Sequence, residues 1–230
     1  MRLIFVRHGY PDYKTDSLTP LGQQQAARAA VRLAGEPISE IYSSPFGRAW
    51  QTAQPTAERF GLPVQIVDFM HEIDWHPLTG TEEEKQSWEI YHPWVMSHKL
   101  AKEGVNLRTV DYETLECWSN STLKNCYAHV CTESDKWLEE LGYARRGEGY
   151  ECLRENNDTI ALFAHHGSGT CLFSHLLNIP VLYLFAAFQY NFTGITVFDF
   201  NGKPGDFLIP EMEVFNDHSH IEDCEMPLMQ

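Results

Sequence analysis

Basic residues are scarce in this chain: 17 Lys and Arg stand against 32 Asp and Glu, for a net charge of −15. Such a field repels nucleic acid and anionic membrane surfaces, so neither is expected as a partner. No Cys-x-x-Cys pair occurs among the six cysteines, which read as ordinary, partly buried, reduced thiols. No apolar run approaches the roughly 18 residues of a membrane span. Repeats and low-complexity tracts are missing as well. The first strand-like run begins at Arg2, leaving no room for a targeting segment, so a cytoplasmic location is expected. In that setting the Asn-x-Ser/Thr matches at Asn120 and Asn191 carry no weight.

What is present is a globular composition, 43% hydrophobic and 13% aromatic over 230 residues. This suits one generous α/β domain with an insertion. Leu3 to Val6 form a strand-like run. Thr19 and Pro20 then open an alanine-rich helix over Leu21 to Leu33, stopped by Gly35 and Pro37. A strand at Glu40 to Tyr42 leads into a second helix ending near Phe60, and Val64 to Val67 make a third strand. This βαβαβ alternation predicts a mainly parallel sheet with helices on both faces.

Residues 77 to about 155 break the rhythm and predict an insertion with two helices instead of strands. Thr81 with Glu84 makes a capping box, and Leu123, Tyr127, Val130, Trp137, Leu138 and Leu141 follow helical spacing toward a buried face. Ile160 to Ala164 and Thr196 to Phe200 resume the sheet. The last 30 residues hold seven acids against one lysine, which predicts a solvated acidic tail over about 211–230. His218, His220, Asp223 and Cys224 in that tail lack the regular spacing of a metal site.

Charged residues stand directly beyond strand ends. Arg7-His8-Gly9 follows the first strand and His165-His166-Gly167 a late one, and in open α/β sheets ligands bind at that rim. Arg48, in the stretch SSPFGRAWQTA, starts a helix after a strand and joins them. Arginine forks and free N–H groups at helix starts after Gly47 and Gly167 suit a phosphoryl group. A neutral His8 can attack phosphorus if its other ring nitrogen donates to a backbone carbonyl. His165, at the strand's end, is expected to face the rim, while His166 turns with the loop. FMHEIDWHPLTG offers Glu72 and Asp74 as proton donor; Glu72, with its pKa raised by partial burial, is the better candidate, and Asp74 and Glu82 to Glu84 are expected to be solvated. Trp75, Trp88, Trp94 and Trp118 are mostly core, with at least one expected to touch substrate.

RHG after the first strand, LTPLG, SSPFGRAWQTA, HEIDW and AHHG after a late strand together resemble the histidine phosphatase superfamily, also called phosphoglycerate-mutase-like. The resemblance covers most of the chain outside 77–155. It implies a mixed, mainly parallel sheet between helices, a phosphohistidine on His8, a phosphate pocket from Arg7, Arg48 and His165, and an acid at Glu72. It implies neither metal nor organic cofactor. Tyr10 stands where a glutamate is common, Lys14 where mutases tend to have asparagine, and His166 where glycine is frequent; His76 and Pro77 replace a glycine-containing stretch. Tyr10 and Lys14 are therefore candidate substrate contacts, and His166 a candidate phosphate contact.

The expected activity is metal-independent hydrolysis of a small phosphorylated metabolite through phosphohistidine. A mutase-type phosphoryl transfer is the alternative, and a non-catalytic phosphate-binding module a further one. Monomer and homodimer are both left open.

Overall fold

The computed structural model describes residues 1–79 and 92–224. In chain order the N-terminal part runs β1 (Arg2–Arg7), the short pair β2 (Pro11–Asp12) and β3 (Ser17–Leu18), α1 (Pro20–Arg32), β4 (Glu40–Ser43), α2 (Gly47–Phe60) and β5 (Val64–Ile66). The middle holds α3 (Pro93–Lys102), α4 (Glu116–Ser119), α5 (Thr122–Glu140), β6 (Tyr143–Arg146) and β7 (Gly149–Cys152). The last part runs β8 (Thr159–Ala164), α6 (His166–Leu177), α7 (Val181–Ala187), β9 (Ile195–Asp199), β10 (Phe207–Leu208) and β11 (Glu211–Asp217).

The central sheet has the order β11-β9-β1-β8-β4-β5. The pairs β1/β8, β8/β4 and β4/β5 are parallel, whereas β9 and β11 run antiparallel. The mixed, mainly parallel sheet is as expected. Successive side chains of a strand point to opposite faces, and here both faces are covered. Leu3 and Phe5 of β1 join one core cluster with Leu162, Phe173 and Phe198, while Ile4 and Val6 join another with Ala53, Ala57 and Phe163. Continuous apolar runs in β1 and β8 are the consequence. Each such buried side chain contributes about 1.5–3 kcal/mol of transfer free energy.

Helix ends follow local chemistry. Thr19 caps α1, accepting from the Gly22 N–H at 3.2 Å, and α2 stops at Gly61 in the left-handed region (φ +66°). Registry then gathers the rim: Arg7 lies beside Ala164, and Ser43 beside Phe163, so β1, β8 and β4 end together. The turn before β9 opens on the same rim, because Ile195 pairs with Val6.

Two expectations are corrected. The insertion is helical only through α5; β6 and β7 then form a hairpin that pairs with β10 in a separate three-stranded sheet. Its two-residue turn has Gly147 at φ +58°, the conformation such hairpins need. Leu123, Val130, Trp137 and Leu138 are buried on α5 and Leu141 at its end, whereas Tyr127 is half-buried. The Thr81–Glu84 capping box lies outside the described residues.

The acidic tail is the second correction. Residues 211–217 form edge strand β11, and Ile221 beyond it is buried. Its acids are partners of basic groups: Glu213 pairs with Arg2, Asp217 with Arg32 (2.8 Å) and Asp223 with Arg28. The charge count was read as solvation because these partners lie far away in sequence. Among the described residues no helix is long and apolar enough to cross a membrane.

Candidate active site

The turn after β1 is drawn tight against α1. A Cβ on Gly9 would lie 2.7 Å from the Gly22 carbonyl, and one on Gly22 2.2 Å from the Tyr10 carbonyl. Both positions therefore require glycine, which explains the glycine of LTPLG. Within this turn the His8 Nδ1 lies 2.7 Å from the Gly9 carbonyl oxygen. A carbonyl only accepts, so Nδ1 carries the proton and Nε2 keeps its lone pair. Burial, then the Arg7 and Arg48 guanidiniums, hold His8 well below the usual imidazole range and hence neutral.

His165 is buried 5.1 Å from His8, ring centre to ring centre. Its Nε2 lies 2.7 Å from Ser44 Oγ, which itself accepts from the Phe46 N–H at 3.2 Å. In the tautomer in which the Ser44 hydroxyl donates to Nε2, the proton of His165 sits on Nδ1, buried without a partner among the described residues. Burial and the neighbouring His8, Arg48 and Arg7 keep this ring neutral as well.

Each arginine is wrapped by aromatic faces. Arg7 lies 4.1 Å from the Phe192 ring centre and 6.0 Å from that of Tyr190; Arg48 lies 5.0 Å from Phe46 and 5.5 Å from Tyr13. Arg7 Nη1 donates to the Tyr190 carbonyl at 2.6 Å, and Arg48 Nη1 to Asp16 Oδ1 at 2.5 Å. Nε of both guanidiniums is buried and has no partner among the described residues. These two donors, and His165 Nδ1 in the tautomer above, are withheld from water, and such unsatisfied donors suit the oxygens of a phosphoryl group.

At each of the helix N-termini expected to offer free N–H groups at this rim, one N–H is already taken by a carboxylate. Gly47 gives its N–H to Asp16 Oδ2 at 2.6 Å, and Ser168 gives its own to Glu72 Oε1 at 3.1 Å. Carboxylates satisfy orphan donors and the positive end of the helix dipole, so acidic side chains of the chain itself take both places. Glu72 also accepts from the Ile73 N–H at 3.0 Å. Burial pushes the Glu72 carboxyl up, against the pull of these N–H groups and of Arg48 and Arg7. Gly167 lets it approach, since a Cβ there would lie 2.6 Å from Glu72 Oε1. Asp74 is exposed and pairs with His76 at 3.1 Å, whereas Glu82 to Glu84 lie outside the described residues.

His166 does not join the His8 cluster through its ring. It stacks on Tyr190 (4.5 Å, 21° between planes), with Nε2 buried and without a partner among the described residues, and burial followed by Arg7 and His92 keeps it neutral. Tyr10 packs against Phe192 at 5.3 Å and so stands beside His8. Lys14 is exposed on the β2–β3 turn, with its backbone N–H on Asp12, and makes no contact with the cluster among the described residues. Of the tryptophans, Trp118 is core, Trp75 is half-buried against His92, Trp94 is exposed, and Trp88 lies outside the described residues. A cleft of about 240 Å³ instead lies between the Glu72 segment and α5, lined by Phe69, His71, Ile73, Cys126 and His129.

The sequence profile of the histidine phosphatase superfamily (branch 1) matches residues 3–209. The chain belongs to that superfamily. A glucosyl-3-phosphoglycerate phosphatase of Mycobacterium tuberculosis is 37% identical over 93 residues, 35% of this chain; the chain spans 42% of that relative's length. A 2,3-bisphosphoglycerate-dependent phosphoglycerate mutase of Thermoplasma acidophilum is 27% identical over 134 residues, covering 45% of this chain and 67% of the mutase. Among solved structures, the phosphoserine phosphatase of Entamoeba histolytica in complex with 3-phosphoglyceric acid superposes with a TM-score of 0.65 at 25% identity, covering 96% of this chain and 98% of that one.

For this histidine phosphatase superfamily member, sequence reasoning missed Asp16, Ser44, Tyr190, Phe192 and Thr193. Ser44 and Asp16 were open to discovery, being polar residues inside or beside quoted motifs. Tyr190, Phe192 and Thr193 precede the last core strand, and nothing in their spacing points to a residue more than 180 positions away.

Proposed function

We propose that this protein is a phosphatase that hydrolyses a small-molecule phosphomonoester in two steps, without a metal ion. The observation that carries the reading is the state of His8: a buried, neutral imidazole with Nδ1 committed to the Gly9 carbonyl, leaving Nε2 as nucleophile. In the first step the Nε2 lone pair forms a bond to phosphorus and the ester P–O bond breaks. The leaving oxygen takes the proton of Glu72, whose pKa burial raises in the direction a donor needs. Arg7, Arg48 and His165 hold the three non-bridging oxygens as charge spreads over them. In the second step water attacks the phosphohistidine and gives its proton to the Glu72 carboxylate. The P–N bond breaks, and inorganic phosphate leaves with Nε2 restored.

The family membership and the relatives named phosphatases support hydrolysis. The relative named a mutase keeps phosphoryl transfer between positions of a phosphoglycerate as a second reading. Incubation with phosphorylated sugars, amino acids and 3-phosphoglycerate separates the two: release of inorganic phosphate without isomerisation favours the phosphatase. With labelled substrate, base-stable and acid-labile label is expected on the wild-type protein and none on His8→Ala, which also loses turnover. EDTA leaves the wild-type rate unchanged. Full turnover by His8→Ala would remove the nucleophile assignment.

A further inference from the structure

Thr193 is fully buried at φ +53°, a conformation rarely adopted by a β-branched residue. Such backbone persists where its surroundings over-determine it, and it concentrates at working sites. Here the strained N–H is shared between the carbonyls of Arg7 (3.0 Å) and His8 (3.3 Å). The adjoining residues hold the same dipeptide. Gly194 O accepts from the Arg7 N–H at 3.3 Å, Tyr190 O accepts from the Arg7 guanidinium, and the Phe192 ring lies under that guanidinium and 5.6 Å from the His8 ring. One short turn, 190–194, thus grips both residues by backbone and side chain.

That turn is itself held from the C-terminal segment. The Thr193 hydroxyl lies 3.0 Å from His220 Nε2, and the Asn191 N–H donates to Asn216 Oδ1 at 2.8 Å. Asn216, also left-handed at φ +55°, donates its own N–H to Thr196 Oγ1 at 3.2 Å. On its other side the segment is tied to α1, through Arg32 on Asp217 and Arg28 on Asp223. A stretch that by composition should float in solvent is therefore one hydrogen bond removed from the backbone of His8.

We propose that Thr193 and His220 are positioning residues for the Arg7–His8 dipeptide, the C-terminal segment acting through the His220–Thr193 bond to fix the turn that aims His8. Neither residue touches the reacting atoms. The consequence for rate rests on the reading of His8 as nucleophile; the consequence for the His8 ring does not.

The test compares Thr193→Val, which keeps the β-branch and removes the hydroxyl, with His220→Ala, their double variant, His220→Gln, and Glu222→Gln at an exposed position as a control on the same segment. Nitrogen-15 NMR of the His8 ring, p-nitrophenyl phosphate kinetics and Tm are read on each. Thr193→Val and His220→Ala are expected to shift the His8 Nδ1 and Nε2 signals. They should also lower kcat by on the order of 10- to 100-fold, with KM held within about twofold. The double variant should be no worse than the poorer single one, because both remove the same bond. His220→Gln should recover much of the loss, and Glu222→Gln should change neither signal nor rate. Unchanged His8 signals in both single variants overturn the proposal, as do losses that multiply in the double variant. If Thr193→Val does not fold, the His220→Ala and His220→Gln pair decides by the same readouts. If wild-type protein turns over no phosphomonoester, the proposed function fails and the NMR comparison still decides this inference.

Discussion

Two helices, α2 and α6, begin at the same rim, and each has a carboxylate seated on one N–H of its first turn, yet the two carboxylates differ in kind. Asp16 at α2 has a side chain 42% exposed, and it forms a direct ion pair with Arg48. Glu72 at α6 is half-buried, makes no ion pair in direct contact among the described residues, and has its pKa pushed up by burial. The helix dipole favours the charged form in both places. What separates them is the partner: Asp16 is spent on a direct pair with Arg48, whereas Glu72 meets only backbone N–H groups, and burial works on it toward the protonated form.

The sharpest way to break this comparison is Glu72→Gln, assayed on leaving groups that differ in their need for a proton. Alkyl phosphates should lose about 10² to 10⁴-fold, and p-nitrophenyl phosphate far less, with a burst of p-nitrophenol followed by slow turnover as water activation fails. Equal losses on both substrates without a burst would transfer the acid role away from Glu72. Next in size is Arg48, the group between the two carboxylates. Arg48→Ala should cost about 10² to 10³-fold in kcat/KM on either substrate, and Arg48→Lys should recover only part, since a point charge lacks the bidentate fork.

Asp16→Asn sharpens the contrast from the other side. It keeps acceptors for the Gly47 N–H and the Arg48 guanidinium while removing the charge, and water reaches the half-exposed Asp16 side of the pair, so the loss should be below about tenfold and alike for alkyl and aryl phosphates. A leaving-group dependence in this variant would mean that Asp16, too, handles a proton.

The smallest effect is on stability. His8, His165 and His166 lie well below the usual imidazole value of 6.5, and His92 and His220 are lowered too. Below pH 6.5 the unfolded chain takes up protons that the folded one refuses, so stability falls as pH drops from 6.5. Glu72 acts oppositely above its usual 4.5, since only the fold keeps it protonated there, but it is one group against five. The urea midpoint should decline between pH 7 and about 5. A midpoint that rises over this interval would show that these imidazoles are charged in the fold.

Much of the architecture was legible because it is written in local pattern. The apolar run of β1, Thr19 with Pro20 at α1, Gly61 after α2 and the stripe on α5 each announce an element from within a few residues. The β6–β7 hairpin also had a local signal, Gly147-Glu148 between two runs, which the helical character of the preceding stretch obscured. Strand β11 had a weaker one: Glu211, Met212, Glu213 and Val214 alternate as a half-covered edge strand does, but the acid count dominated the reading.

The sequence by itself determined that His8, Arg7, Arg48 and His165 stand at strand ends and helix starts, because hydrophobic runs and their terminators are short-range features, and parallel pairing sends those ends to one rim. Only the tertiary structure decided which group meets which. Asp16 reaches Arg48 across 32 positions, Glu72 reaches the start of α6 across 96, and Thr193 reaches His220 across 27 while gripping His8 from the far end of the chain. Desolvation follows from the whole path of the chain. A carboxyl group's role as anchor or as acid is therefore set by what surrounds it in three dimensions, which no local spacing encodes.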